Sequence, residues 1–441
     1  MILFLKKNPI LIFLMLSIPA FLKPSIHGND GILNYVYLRS LFIDGDIDFK
    51  NDYKAFDEIT LGKYHLSEKP ISNITGKIEN RYGIGSSILW SPFWLFARGL
   101  DKLFDLNTDS CFDGWGKIYI LSVSIASAIY GIFGLFLLFK ISEKYWGKFP
   151  AWISTLSIWF ATPLLFYVYL HPSMSHANAF FLSSLIWYIF LLSEQISPIT
   201  LLILGFLTGF LTITRFQDFL FVLPVAFLCI SKMKITDSKS HKFIWWFILF
   251  ILPFFIALIP QILTWKILYG SYLSGPAPYL GYKEFKIYLP QHFLSVLFSS
   301  RHGLFFWHPI LLFGLMGLIF RNSEHKIIKR GLLTGLILEW YLISCWSEWH
   351  AGASFGQRFF ITTLPAFSFG IAALVKKIET KIKRGKILLI AFLFILWNFG
   401  LIFQYGMMMI PREDYISVKT ILKNQFIEIP KIIIDKLKGT K

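Results

Sequence analysis

Eleven stretches of this chain are so apolar that water cannot be their solvent. They are residues 8–24, 118–139, 149–170, 177–193, 199–214, 217–231, 243–268, 304–320, 331–346, 359–375 and 386–403. A backbone crossing lipid must satisfy its own amides and carbonyls, which leaves helices as the solution for runs of about 20 apolar residues. Several of the runs are short, so they imply tilt or partial re-entry. With 55% hydrophobic and 18% aromatic residues, the remainder offers too little polar surface to wrap such runs in a soluble domain. The expected fold is all-α: a polytopic integral membrane protein with about 11 transmembrane helices.

Charge then sets the orientation. The net charge of +17 would suit a nucleic-acid binder, but the cations sit in short clusters between apolar runs. Clusters of this kind belong on the cytoplasmic side. With the N-terminus inside, the cytoplasmic segments carry nineteen Lys and Arg and the short outer loops six. Nucleic acid is therefore not an expected partner; membrane lipid is. Counting residues 84–104 as a further span would place every later basic cluster outside. That stretch is instead expected to lie on the outer surface as an amphipathic helix, with Arg98, Asp101 and Lys102 toward water.

A large first extracytoplasmic loop follows, about 25–117, with surface helices in it. Asn29 and Asp30 are expected to cap a helix over 31–43 that ends at the Asp44-Gly45 turn, and 50–82 reads as polar and irregular. Residues 1–405 form the membrane domain and 406–441 an extracytoplasmic tail. The first apolar run follows Lys6-Lys7 without a small-residue cleavage site, and is expected to remain as an anchor. Cys111 and Cys345 both fall outside, so a disulfide between them is open, with two separate thiols as the default.

The outer loops hold nearly all the polar residues with chemical potential. A transporter needs such groups along a path through the bilayer; an enzyme working at one face needs them gathered there. Arg215, Arg301 and Arg358 each stand at the outer end of an apolar run, where a planar guanidinium suits a phosphate. The plainer reading of each is a side chain snorkelling to lipid headgroups. His171, His176 and His302 are on the same face, as are Gln357 beside Arg358 and Glu348 among tryptophans. Asp30 is either a helix cap or a general base. Asp44, Asp46 and Asp48 read first as an acidic turn, with a divalent-cation site as the alternative.

The order of these features resembles the GT-C superfamily of polyprenyl-phosphate-dependent glycosyltransferases, in particular the protein O-mannosyltransferase and aminoarabinose-transferase group and its bacterial relatives. An acid follows the first span (Asp30, where the family has Asp-Glu and this chain Asp-Gly). A helix with Tyr37-Leu38-Arg39-Ser40 and an acidic turn come next. Tyr82-Gly83-Ile84-Gly85, Thr162-Pro163-Leu164, Thr214-Arg215, Gln357-Arg358-Phe359-Phe360 and Leu364-Pro365 follow in the family's order. The resemblance covers most of residues 1–405. It implies a GT-C-like fold in a bacterial inner membrane, with the active site on the extracytoplasmic face. It implies Asp30 as the base that deprotonates an acceptor, and Arg215, Arg301 and Arg358 as ligands of the phosphate of a lipid-linked sugar. His171, His176, His302, Glu348 and Gln357 would complete the substrate site, and a divalent cation could assist. The acceptor would be a glycan, a lipid or a protein hydroxyl. Gly31 removes the family's second acid. Two other classes stay open: an outer-face polysaccharide polymerase or ligase, and a lipid or sugar transporter.

Overall fold

The computed structural model describes residues 9–106, 113–232, 240–273, 285–320 and 325–438, with the side chains of 240–243 excepted. Its regular elements are helices, with two isolated β-bridges between Ile71 and Ile78 and between Phe285 and Trp346. The chain divides into two compact units. One comprises Met1–Phe136 and Tyr167–Lys283, the other Leu137–Phe166 and Glu284–Lys441. Cys111 lies outside the described residues, while Cys345 is a buried free thiol.

Each of the eleven apolar runs carries helix. Four helices among the described residues are long and apolar enough to cross a membrane unaided: Lys117–Trp146, Ile244–Tyr269, Arg358–Ile378 and Arg384–Gly406. Pro9–Phe21, His176–Leu192, Pro198–Thr214 and Ile310–Ile319 are shorter apolar helices. Three runs are interrupted rather than continuous. Run 149–170 is helical over Lys148–Phe160 and re-forms as a π-turn at Phe166–Leu170. Run 304–320 divides into Leu304–Trp307 and Ile310–Ile319 around His308-Pro309. Run 217–231 begins as a 3-10 turn, Phe216–Phe221. Proline explains the first two, because it removes a donor and disfavours helix in the residue before it.

In the first unit the long polar loop is a folded structure with its own aromatic core. Helix Gly28–Arg39 continues through a π-turn, Ser40–Asp44, and stops at Gly45, whose φ of 76° is left-handed. The stop is where the sequence places it; the start is not. His27 is the N-cap and makes no side-chain cap bond, so Asn29 and Asp30 lie inside the first turn instead of capping it. Residues 50–59 are helical, not irregular. Tyr35, Tyr37, Phe49, Tyr53, Trp90, Trp94 and Tyr119 are all almost fully buried together. Each such side chain removed from water contributes on the order of 1.5–3 kcal/mol. An ion pair pins the loop: Arg39 reaches Asp44 at 2.7 Å and Asp52, wholly buried, at 2.8 Å.

Gly85–Phe104 is a helix, as expected, but two of its three charges are engaged by protein. Asp101 accepts from the Tyr119 hydroxyl at 2.7 Å, and Arg98 donates to the Phe42 carbonyl. Lys102 alone is exposed. Trp94 sits under Arg98 and against Tyr119, so the aromatic core draws these charges inward.

In the second unit, Ile310–Ile319 packs on Leu364–Ile378 through glycines. A Cβ on Gly317 would lie 1.8 Å from the Gly370 carbonyl oxygen, so the two backbones are in direct contact. The break after Phe160 is repaired by Asn398, whose side-chain amide donates to the Phe160 and Thr162 carbonyls at 2.8 and 3.1 Å. A carbonyl freed by a helix break in an apolar layer needs such a donor.

Candidate functional site

Asp30 sits half-buried in the first turn of Gly28–Arg39. Its carboxylate accepts the hydroxyl of Tyr82, and its backbone carbonyl accepts the Asn34 amide at 2.7 Å. Lys69 lies within its electrostatic reach; burial and the neighbouring Arg81 hold that lysine below the usual range. A half-buried carboxylate held in place by a phenol can accept a proton as a general base. Sequence reasoning missed both Tyr82 and Lys69. Tyr82 was visible as part of the Tyr-Gly-Ile-Gly motif, but nothing in its spacing showed its partner.

The helix start is fixed from the 171–176 loop. The His27 amide donates to Ser173 Oγ at 2.9 Å, and the His27 and His171 rings stack at 3.6 Å. A Cβ on Gly31 would stand 2.4 Å from Ser173 Oγ. Position 31 therefore faces a neighbouring loop at contact distance and has no room for a side chain.

Tyr82 is brought in by the two glycines that follow it. A Cβ on Gly83 would meet the Ile213 carbonyl oxygen at 2.0 Å, and one on Gly85 the Thr214 amide nitrogen at 2.6 Å. The 82–85 segment therefore lies backbone against backbone on the end of Pro198–Thr214, next to Arg215. Arg215 is only 9% exposed, so it does not snorkel to solvent. It contacts His176 Nδ1 and stands 3.6 Å from the buried carboxylate of Asp218. His176 in turn lies against Tyr167, their rings 4.5 Å apart. Asp30, His171, His176 and Arg215 thus belong to one neighbourhood of the first unit. Asp218 already offsets part of the Arg215 charge.

The acidic turn is internally satisfied. Asp44 pairs with Arg39 and accepts from Asn51 at 2.9 Å. Asp46 accepts from Ser40 Oγ at 2.8 Å and from the Asp48 amide, and Asp48 from the Lys50 amide at 3.3 Å. Among the described residues no group of three or more His, Cys, Asp or Glu is arranged to hold a metal ion. Burial pushes the Asp52 carboxyl up, to about 7, against the pull of Arg39.

The second unit gathers Arg301, His302, Glu348, His350, Gln357 and Arg358. His302 has a φ of 66°, a left-handed conformation that a non-glycine residue enters at a cost. It is fully buried, with Nδ1 2.7 Å from the His350 carbonyl oxygen. A carbonyl only accepts, so Nδ1 carries the proton and Nε2 is an acceptor without a partner. Burial lowers the imidazole to about 4, helped by Arg358 and Arg301, so the ring is neutral. His350 is lowered to about 4 by the same causes, burial first and then Arg301. Gln357 is buried and donates to the Trp349 carbonyl at 2.9 Å; it shapes the loop rather than reaching outward. Glu348 is half exposed and 3.5 Å from His350 Nε2. The loop between them turns on Gly352 and Gly356, both left-handed, and a Cβ on Gly356 would strike His308 Nε2 at 2.2 Å.

No protein-family model and no curated protein matches the sequence. Among solved structures, the chain is similar to ArnT from Cupriavidus metallidurans bound to undecaprenyl phosphate. There the TM-score is 0.48 and the identity 12%, over 92% of this chain and 64% of that one. The apo state of the same protein gives 0.46 and 10%, over 96% and 73%. The archaeal oligosaccharyltransferase AglB from Archaeoglobus fulgidus, in complex with an inhibitory peptide and a dolichol-phosphate, gives 0.47 and 12%, over 99% and 56%. This chain spans 64% of the first ArnT structure and 56% of AglB.

Proposed function

We propose that this protein is a membrane glycosyltransferase that moves a sugar from a polyprenyl-phosphate-linked donor to an acceptor hydroxyl at the outer face of a bacterial inner membrane. The observation that carries the reading is the assembly in the first unit. Asp30, Tyr82, His171, His176 and Arg215 come from four separate stretches of sequence and are held together by contacts that only glycine at 31, 83 and 85 permits. Asp30 accepts the Tyr82 hydroxyl, and the buried Arg215 follows the segment on which the glycines after Tyr82 pack.

The roles follow from charge. Asp30 takes the proton of the acceptor hydroxyl as that oxygen bonds to the anomeric carbon. The bond from that carbon to the phosphate oxygen breaks, and its electron pair leaves with the phosphate. Negative charge grows on that phosphate, so guanidiniums there stabilise the transition state more than the ground state. Arg215, in the same unit as Asp30, is the guanidinium assigned to it. Direct displacement inverts the anomeric centre. No metal is required by this sequence of bonds.

The test is release of polyprenyl phosphate from a panel of polyprenyl-monophosphate sugars by purified protein. Asp30→Asn and Arg215→Ala are run alongside. Release by the wild type, lost in both variants, supports the assignment. Turnover retained by Asp30→Asn, or no release from any donor with an acceptor extract present, overturns it and favours a polymerase or a transporter.

A further inference from the structure

The second unit contains cations that the donor-binding residues named above do not include. The segment after Gly406 turns back onto the 299–302 loop: the Ile416 amide donates to Ser300 Oγ at 3.2 Å. Arg412 lies 4.8 Å over the Tyr405 ring and donates to the Tyr405 carbonyl at 3.4 Å. The Tyr405 hydroxyl reaches the Ala353 carbonyl at 2.9 Å, and its ring packs on Phe355, in the loop that leads to Arg358. Arg412 and Arg358 both act electrostatically on Tyr405, and Arg358 and Arg301 both act on His302. Two carboxylates stand nearby: Glu413, which acts on Tyr405 and His350, and the half-exposed Glu348. Three guanidiniums against two carboxylates leave a positive surplus. Arg301 Nε and Arg412 Nε are buried without a hydrogen-bond partner, and so is the fully buried His302 Nε2.

We propose that Arg412 is a third guanidinium of an anion site shared with Arg301 and Arg358, and that the group it takes is a phosphate ester. The C-terminal segment is then a wall of the binding site and not an appendage. Like charges brought together in a half-buried place repel, and a bound anion turns that repulsion into attraction. A guanidinium also offers a planar pair of donors, which matches phosphate oxygens. Naming the ester as that of a lipid-linked donor rests on the function proposed above; the anion site itself does not.

The experiment measures binding, so that it reads independently of sugar transfer. Full-length protein in phosphatidylcholine nanodiscs is titrated with polyprenyl phosphate, with and without inorganic phosphate as competitor. The variants are Arg412→Gln, Arg412→Lys, Arg301→Ala and Arg358→Ala, with Arg384→Ala as control. Arg384 pairs with Glu379 at 3.1 Å at the start of helix Arg384–Gly406, whose opposite end carries Tyr405. Expected is a Kd at least tenfold weaker for Arg412→Gln, Arg301→Ala and Arg358→Ala, within about threefold for Arg412→Lys, and unchanged for Arg384→Ala. Thermal unfolding of each variant separates lost packing on Tyr405 from lost charge. Competition by inorganic phosphate would identify a site for the free anion as well as the lipid. Wild-type affinity in Arg412→Gln overturns the role of the tail, and wild-type affinity in all three alanine and glutamine variants overturns the anion site. Failure of sugar transfer with this binding pattern intact would sink the glycosyltransferase reading and leave the site standing.

Discussion

The Tyr82 hydroxyl donates to the carboxylate of Asp30, 52 residues earlier in the chain. This bond orients a base from a segment whose own position depends on two glycines. Removing a donor from a charged acceptor costs about 1.5–3 kcal/mol. Tyr82→Phe is therefore expected to lower turnover roughly ten- to a hundredfold at unchanged donor affinity, while Asp30→Asn abolishes turnover at unchanged affinity. Steady-state rates beside equilibrium binding check both. A Tyr82→Phe variant with wild-type turnover would show that the bond is only structural.

Gly31 and Ser173 form a contact pair. A methyl at 31 would stand 2.4 Å from Ser173 Oγ, and overpacking of this kind costs about 1–3 kcal/mol. Gly31→Ala should lower the unfolding temperature, and Gly31→Ala with Ser173→Gly should recover part of it, short of the wild type by the lost bond from the His27 amide to Ser173 Oγ. A double variant no better than the single one would place the strain elsewhere. By the same geometry, Gly31→Glu does not supply a second acid to the site; it displaces the 171–176 loop and lowers activity.

Gly83 and Gly85 touch backbone, which cannot move aside as a side chain can. Gly83→Ala is expected to be worse tolerated than Gly45→Ala. Gly45 has open space around its Cβ position and is strained only by its φ of 76°. Expression yield and thermal unfolding in detergent rank the two; the reverse order would contradict the packing of 82–85 on 213–214.

Arg39 and Asp52 are a coupled pair. Truncating one partner of a buried ion pair strands the other charge, at about 3–5 kcal/mol. Arg39→Ala should destabilise the folded first loop strongly. Adding Asp52→Asn to Arg39→Ala should recover part of that loss, because the stranded carboxyl is then neutral. Limited proteolysis of residues 40–60 reads the effect locally.

His302 makes the second unit sensitive to acid. Its folded value is lowered from 6.5 to about 4 by burial. Below about 6.5 the unfolded chain takes up a proton that the folded chain refuses, so stability falls as pH drops toward 4. The slope for one such group is about 1.4 kcal/mol per pH unit. Wild-type unfolding temperature should fall between pH 7 and pH 5, and less steeply in His302→Gln. Equal slopes would show that the imidazole takes its proton while folded.

The sequence by itself determined the material and its periodicity. Apolar runs and the prolines within them specify apolar helices and where they break, and the basic clusters between them set the expected orientation. They do so because hydropathy and charge act residue by residue through the solvent. It also marked Arg215, Arg301 and Arg358 as cations at the ends of those runs, and the Asp44-Gly45 stop through a local turn preference. Tertiary structure decided what each charge meets. Nothing in the spacing shows that Arg215 is buried with His176 and Asp218, that Asp101 turns to Tyr119, or that Arg412 folds back over Tyr405. Nor does the chain announce that Ser173 occupies the space a side chain at position 31 would need. Those outcomes depend on contacts between residues tens of positions apart, where a side chain's environment is set by the packing of other segments and its own neighbours in sequence carry no record of it.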